Sequence, residues 1–358
     1  MAAAIELKTL KPALRVVILE KNSALGRKIR ATGNGRCNIT NTEAYGYVEI
    51  MKWLTEIGVV TRTYENGLVY PYSESAADVT ELLIDRVNEA GIEVITEASV
   101  SRVEQSGEGF TVEFAHKDAD GTPLDESLTA GNVILALGGK AGPNYGTTGD
   151  GYAIARALGH TVVTPIPVLT PVECADWDAS LGGIRARGIV SLYRDETEAF
   201  PENSKIFEEA GEIQFTKTGL SGIAVFNMTG FMRYNRADGE NLSQFRIRLN
   251  LFADGNISEH TSLRTILKPE LAAYVEAKGI ESIHALDFTP TAIKGWKDAQ
   301  ATSGGVSLDE IDPETCESLL VPGLYVTGEL LDYDGPCGGF NLSNAWLTGL
   351  KAAHALQN

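Results

Sequence analysis

Several things are scarce in this chain of 358 residues, and each scarcity excludes a class of function. Cysteine occurs four times, as Cys37, Cys174, Cys316 and Cys337, with no C-x-x-C. Scattered thiols of this kind argue against a disulfide framework and for a reducing, cytoplasmic setting. Histidine occurs five times and never as H-x-x-x-H, so no metal site is expected. Positive charge is short: 30 Lys and Arg stand against 48 Asp and Glu, a net charge of −18. A nucleic acid or an anionic membrane is therefore not expected as a partner, and a small-molecule substrate is. No apolar run approaches the length of a membrane span. The opening Met1-Ala-Ala-Ala-Ile-Glu has neither the basic start nor the apolar core of a secretory leader. Nucleophile triads and paired-carboxylate hydrolase sites are also absent, and oligomeric state is not readable.

What is present is organised around the C-terminal end. Residues 324–327 (Leu-Tyr-Val-Thr) predict a short strand after Pro322-Gly323. Gly328, Glu329 and Asp332 follow at its C-terminal end, where open α/β sheets bind ligands. Gly335, Gly338 and Gly339 then allow backbone to approach something flat or charged. From Phe340 to about Leu356 the spacing predicts a helix with Leu342, Ala345, Trp346, Gly349, Leu350 and Ala353 on one face. Its first N–H groups, from Phe340, Asn341 and Leu342, would favour negative charge. An ordinary strand, glycine turn and helix would read the same way by shape alone.

The rest of the chain reads as follows. Residues 2–10 predict a helix stopped by Lys11-Pro12. Residues 16–19 (Val-Val-Ile-Leu) predict a buried strand ending in Glu20, the position of a ribose-binding carboxylate in a dinucleotide-binding unit. No G-x-G-x-x-G precedes it. Arg27, Lys28, Arg30 and Arg36 then cluster in an otherwise acidic chain, around Gly33 and Gly35. Helices are expected over residues 45–60, from Ser75 to Gly91, and after Gly149. Strands are expected at 92–95, in a hairpin of 99–103 and 110–114, and at 133–137 before Gly138-Gly139. Residues 118–125 read as an acidic surface turn without the spacing of a calcium loop. Beyond Pro165, Pro167 and Pro171 the pattern changes to short strands at 188–193, 212–215 and 245–251, with a helical stretch over 261–278. Residues 215–222 read as a tight turn.

Two motifs carry a resemblance. Gly26-Arg-Lys-Ile-Arg-Ala-Thr32-Gly-Asn-Gly-Arg36-Cys-Asn-Ile-Thr-Asn41 and Gly328-Glu-Leu-Leu-Asp-Tyr-Asp-Gly-Pro-Cys-Gly-Gly-Phe-Asn341 resemble the BaiN-type NAD(P)/FAD-dependent oxidoreductases, also called aminoacetone-oxidase-family flavoproteins. Weaker likenesses lie at 67–73, 215–222 and 299–306. The resemblance implies an α/β fold: a Rossmann-like FAD-binding domain of the two-dinucleotide type over 1–167 and 298–358, with a β-rich substrate domain inserted over 168–297. It implies FAD, held by Glu20, Lys21, Arg27, Lys28, Thr32, Gly33, Gly35, Arg36, Cys37 and Asn38, by Val100 near adenine, and by Gly138 and Gly139. Gly328, Glu329 and Asp332 would take the ribityl chain, and Gly338, Gly339, Phe340 and Asn341 the ring. NADH or NADPH would dock transiently as reductant. The substrate implied is an activated C=C, a ketone or an amine. Tyr72 and Ser303 are the candidate proton donors. Cys37 and Cys337 both fall in loops expected beside the ring, either as inert thiols or as a redox pair.

Relative to that family the chain is expected to begin inside its first helix, without the preceding strand and glycine turn. That strand would lie between residues 16–19 and 324–327, and its loss would strand backbone groups at about 1–3 kcal/mol each. A flavin-free remnant acting as a binding protein is one alternative. An RNA-modifying flavoprotein is another, and a basic patch on one face would be its mark.

Overall fold

The fold was analysed in a computed structural model, which describes residues 1–107, 109–117, 123–195, 197, 199–232, 242–253, 255–258 and 260–357. The chain divides into two compact units. One comprises Met1–Pro165 with Ala301–Asn358; the other is Ile166–Gln300.

In the first unit the helix Ala2–Leu10 buries Ala2, Ala4, Ile5 and Leu7 and ends at Lys11. It crosses the helix Phe340–Ala355 at Gly349, where a side chain would lie 3.5–3.6 Å from Ala3 N and Ala2 Cβ. Trp346 of that helix meets Trp53 of helix Tyr47–Glu56, ring centroids 5.9 Å apart. Around them Ile50, Leu54, Val79, Leu83 and Val87 close a core. The helix Ala76–Glu89 supplies the last three, and Ser75 caps its start by accepting from Asp78 N–H at 3.2 Å.

Two parallel strand pairs flank this core. Val17–Leu19 pairs with Glu93–Ile95, and Leu324–Val326 pairs with Val133–Leu135. Parallel neighbours need long crossovers, and helix Ala76–Glu89 lies in the first of them. The strand expected between the two pairs is not among the described residues. The prediction of stranded backbone groups fails at Leu324–Val326. Residues 316–318 take up the groups that the parallel ladder leaves: Val326 N–H donates to Cys316 O at 3.0 Å, and Ser318 N–H to Leu324 O at 2.7 Å. At Val17–Leu19 the second edge has no ladder partner among the described residues, and all three residues are half-buried.

The expected hairpin is a three-stranded antiparallel meander, Ser99–Ser106, Gly109–Lys117 and Pro123–Ala130. The first three residues of its third strand fall in the expected acidic turn, and the rest of that strand is not anticipated. Residues 118–122 of that turn, and Glu108 of the hairpin loop, lie outside the described residues. The polar sequence of Pro123–Ala130 hid the strand, because it is largely exposed and pairs along one edge.

The second unit is a seven-stranded antiparallel sheet. Its order is Leu286–Phe288, Phe245–Asn250, Arg185–Arg194, Lys205–Phe215, Gly219–Ser221, Val172–Cys174, Pro290–Ile293. Phe245, Ile247 and Leu249 face the core while Arg246, Arg248 and Asn250 alternate outward. The helix Ile223–Phe231 covers part of the sheet and was not anticipated, because it is apolar nearly all round and carries no 3.6-residue stripe. The helical stretch expected from residue 261 begins only at Pro269, which occupies the first helical position; Leu263–Thr265 is a single tight turn.

Phe215 is fully buried in this sheet and stacks 5.9 Å from Trp177. Phe215→Ala should destabilise the second unit by about 3–5 kcal/mol, read from urea unfolding by tryptophan fluorescence.

Candidate cofactor site

The basic loop of the first unit is folded by left-handed backbone. Thr32 is extended, and then Gly33 and Asn34 take φ of +58° and +57°. Cys37 follows at φ +59°, its N–H donating to Thr32 O at 3.0 Å. A Cβ on Gly33 would stand 2.6 Å from Asn38 N, so only glycine fits.

This loop is fastened to the C-terminal glycine loop and helix. Asn41 Nδ2 donates to Gly338 O at 3.0 Å. Thr40 Oγ1 and Ser343 Oγ are 2.7 Å apart, and Trp346 Nε1 donates to Ile39 O at 2.9 Å. The Asn38 amide, oriented to satisfy its neighbours, accepts from Gly339 N–H at 3.2 Å and donates to Thr40 O and Val69 O. Gly339 (φ +98°) sits so close that a Cβ would meet Thr40 O at 2.5 Å. Asn341 closes the glycine loop on itself: Gly335 N–H donates to its Oδ1 and its Nδ2 donates to Gly335 O, both at 2.9 Å. Phe340, Asn341 and Leu342 begin the helix, so their N–H groups have no acceptor within it.

A second cluster forms around Glu329, in the tight turn Gly328–Leu330. Lys28 Nζ donates to Glu329 Oε2 at 2.5 Å, and Gly139 N–H reaches the same oxygen at 3.4 Å. Thr302 N–H donates to Oε1 at 2.9 Å. Thr302 Oγ1 in turn accepts from Lys140 N–H and Ala141 N–H at 2.8 and 3.0 Å. A Cβ on Gly139 would lie 2.4 Å from Thr302 Oγ1. The carboxylate is thus engaged by the protein itself.

Two polar groups beside it are not engaged. Asp332 is half-buried and its carboxylate makes no hydrogen bond among the described residues. Tyr152 is 4% exposed, and its hydroxyl lies near the Thr302 side chain without a hydrogen bond of good geometry. Burial, with Glu329 and Asp332 close by, pushes the phenol well above its usual range. A buried phenol and a free carboxylate fit a ligand rich in hydroxyl groups.

The other expected residues distribute as follows. Glu20 Oε1 accepts from Asn22 N–H and Asn22 Nδ2 at 2.8 and 2.7 Å. Arg27 bonds Asn22 Oδ1 and Asn144 O. Lys21 pairs with Thr148 and Asp150. Arg36 lies 4.9 Å over the Tyr70 ring. Val100 stands at a β-bulge in the meander, where the pairing shifts between Val100 and Arg102. Gly35 is exposed and Gly138 half-buried. Tyr72 is exposed beneath Arg62, and Ser303 is enclosed in strand Ala301–Val306. Neither makes a hydrogen bond to the clusters above. Thr302, one residue from Ser303, reaches Glu329 through its backbone N–H, while its Oγ1 accepts from Lys140 and Ala141 N–H. Tyr152, in the helix Asp150–Ala157 expected after Gly149, is not among the expected site residues. Cys37, Cys174 and Cys316 are buried thiols, and Cys337 is half-buried.

The family model of the HI0933-like protein Rossmann domain matches residues 42–355. The chain is similar to a 3-dehydro-bile acid delta(4,6)-reductase of Clostridium scindens, with 32% identity over 95% of this chain and 92% of that one. It is also similar to a ribosomal RNA dihydrouridine synthase of Haemophilus influenzae, with 26% identity over 94% and 91%. Among solved structures, the open conformation of a flavocytochrome c3 fumarate reductase superposes with a TM-score of 0.51 at 15% identity, covering 99% of this chain and 76% of that one. That likeness shows the fold.

Gly339→Ala should cost about 2 kcal/mol through positive φ and the clash with Thr40 O. Gly35→Ala, with φ +84° but nothing within 4 Å, should cost distinctly less. Equal shifts in the urea midpoint would contradict the fastening of the two loops. Burial pushes the Cys37 thiol up to about 11. Above roughly pH 8.5 the unfolded chain loses this proton while the folded chain keeps it, so stability should fall as pH rises towards 11. At pH 8 native Cys37 should resist a thiol reagent that labels it after unfolding; rapid native labelling would contradict its enclosure.

Proposed function

Because this chain belongs to the HI0933-like Rossmann-domain family, we propose that it is an FAD-dependent oxidoreductase acting on a small organic substrate. Bound FAD would supply the redox chemistry, hydride transfer between a nicotinamide, the flavin and the substrate, with an activated C=C or a ketone as hydride acceptor or an amine as hydride donor. The observation that carries this reading is the pair of unengaged groups, Asp332 and Tyr152, beside the Glu329 cluster and the fastened glycine loops.

In this reading the Asp332 carboxylate and the Tyr152 hydroxyl take ribityl hydroxyls. The free N–H groups of Phe340, Asn341 and Leu342 stabilise negative charge on the flavin ring. Glu329 acts by positioning: it holds Lys28 and the Gly139 backbone at the edge of the site. Glu20 orders the turn at Asn22, at the end of the strand where a ribose is expected. The bile-acid reductase among its relatives supports a C=C acceptor. Four scattered cysteines without a disulfide-framework spacing support the cytoplasm as its place. No helix among the described residues is long and apolar enough to cross a membrane. A second reading, modification of RNA, is supported by the dihydrouridine synthases among the relatives, the one from Haemophilus influenzae and one from Escherichia coli at 23% identity, and is opposed by the net charge of −18.

Asp332→Ala should weaken FAD binding about tenfold, the worth of one hydrogen bond to a charged group. Thermal stability of the flavin-free protein should be unchanged, since the Asp332 carboxylate has no hydrogen-bond partner among the described residues and its backbone N–H bond to Val306 O is kept. Unaltered FAD affinity would sink the ribityl assignment. Anaerobic NADPH or NADH should bleach the flavin absorbance of the FAD-loaded protein; a flavin reduced by dithionite and by neither nucleotide would remove the nicotinamide step.

A further inference from the structure

The second unit carries a feature that the flavin reading does not use. The ladder between Arg185–Arg194 and Phe245–Asn250 ends at the pair Ile189↔Asn250. Beyond it the chain turns away. Phe252 N–H donates to Asn250 Oδ1 at 3.1 Å, and Leu251 N–H to Ile283 O at 2.8 Å. Residues 185–188 stay paired on their other edge with Lys205–Phe215, where Gly188 stands opposite Gly211. The two strands part, and between them and residues 264–269 a cleft of about 1000 Å³ opens.

The charge in this cleft runs against the rest of the chain. Arg185, Arg187, Arg264 and Lys268 line it, with Glu212 as the carboxylate among the lining residues. Glu212 is engaged by Arg185 at 3.1 Å. Arg187, Arg264 and Lys268 are exposed, and none pairs with a carboxylate among the described residues. Elsewhere Arg15 is matched by Glu93 and Lys52 by Glu56. In a chain with net charge −18, this concavity gathers four cations against one carboxylate. A cleft lined by one sign of charge concentrates counter-ions of the other. Guanidinium groups suit phosphate because their planar N–H donors match two oxygens at once. The volume exceeds what a single phosphate needs and falls at the upper end for a whole nucleotide-sized ligand.

We propose that this cleft is a second binding site, one that takes the phosphate groups of a nucleotide, whether joined in an RNA strand or carried by a free dinucleotide. Arg187 and Arg264 grip the phosphates and Lys268 adds charge at the start of helix Pro269–Lys278. The site stands on the second unit alone. It goes beyond the flavin reading and fails separately from it.

The test uses the full chain supplied with FAD. A short fluorescein-labelled RNA hairpin is followed by anisotropy over a range of salt, and NADPH by its fluorescence. The double variant Arg187→Glu, Arg264→Glu is compared with Arg15→Glu, Lys52→Glu, which changes net charge equally in the first unit. Wild type should bind at least one probe, and the cleft variant should bind it about tenfold more weakly or worse. Where the hairpin is the ligand, its salt slope should become shallower by about two. The control pair should bind as wild type. Loss in the hairpin arm assigns a strand; loss in the NADPH arm alone assigns the free dinucleotide. If wild type binds neither probe, or the cleft variant binds as tightly as wild type, the proposal is overturned. Should the charge reversals impair folding, Arg187→Gln with Arg264→Gln gives the same reading. Flavin content is measured alongside: a chain without flavin that still binds through the cleft would sink the oxidoreductase reading and leave this one standing.

Discussion

The first unit depends on one carboxylate. Glu329 is mostly buried, and its oxygens draw together Lys28 from the basic loop, Gly139 from the end of strand Val133–Leu135 and Thr302 from the returning chain. Lys28 and Glu329 lie 301 residues apart in sequence. Such a pair is taken partly out of water, and the desolvation of both charges opposes the attraction between them. The further N–H donors satisfy the remaining lone pairs, which is what makes a desolvated carboxylate tenable. If either ion were lost, the other would be left with a desolvation cost and no partner, and three segments would lose their common anchor.

The second fastening is neutral. Asn38, Thr40 and Asn41 on one loop meet Gly338, Gly339 and Ser343 on the other through backbone and short side chains. Close approach is possible because the contact residue is glycine at positive φ. Among the described residues, the Asp332 carboxylate, the Tyr152 hydroxyl and the first N–H groups of helix Phe340–Ala355 stand outside both fastenings, all on the same unit. That pattern of satisfied framework and unsatisfied remainder supports a site that holds a polar ligand by preorganised groups.

Much of this was legible in the sequence where local chemistry decides the outcome. The helix Phe340–Ala355 has its stripe, the strand Leu324–Val326 has its bounding Pro322-Gly323, and the glycines of the basic loop announce left-handed backbone. Elements decided by tertiary context were not legible. Pro123–Ala130 is polar and becomes a strand because Gly109–Lys117 offers it an edge. Ile223–Phe231 is apolar all round and gives no period to read. Residues 316–318 complete the backbone pairing of Leu324–Val326 without any strand-like sequence. At the site, spacing predicted Glu329 as a ligand-facing carboxylate, whereas long-range folding brings Lys28 to it. Ser303 is enclosed in its strand, and its neighbour Thr302 meets Glu329 through a backbone N–H that no spacing announces. The basic cleft of the second unit was hidden because its four cations come from two segments some eighty residues apart.

The central claim is that the two fastened loops and the groups left free beside them hold FAD. The most direct measurement is the visible absorption spectrum of the purified chain, before and after incubation with FAD and removal of the excess. The account predicts a protein-bound flavin spectrum, co-purified or taken up, at about one FAD per chain. A folded protein that stays colourless after incubation with FAD would contradict it.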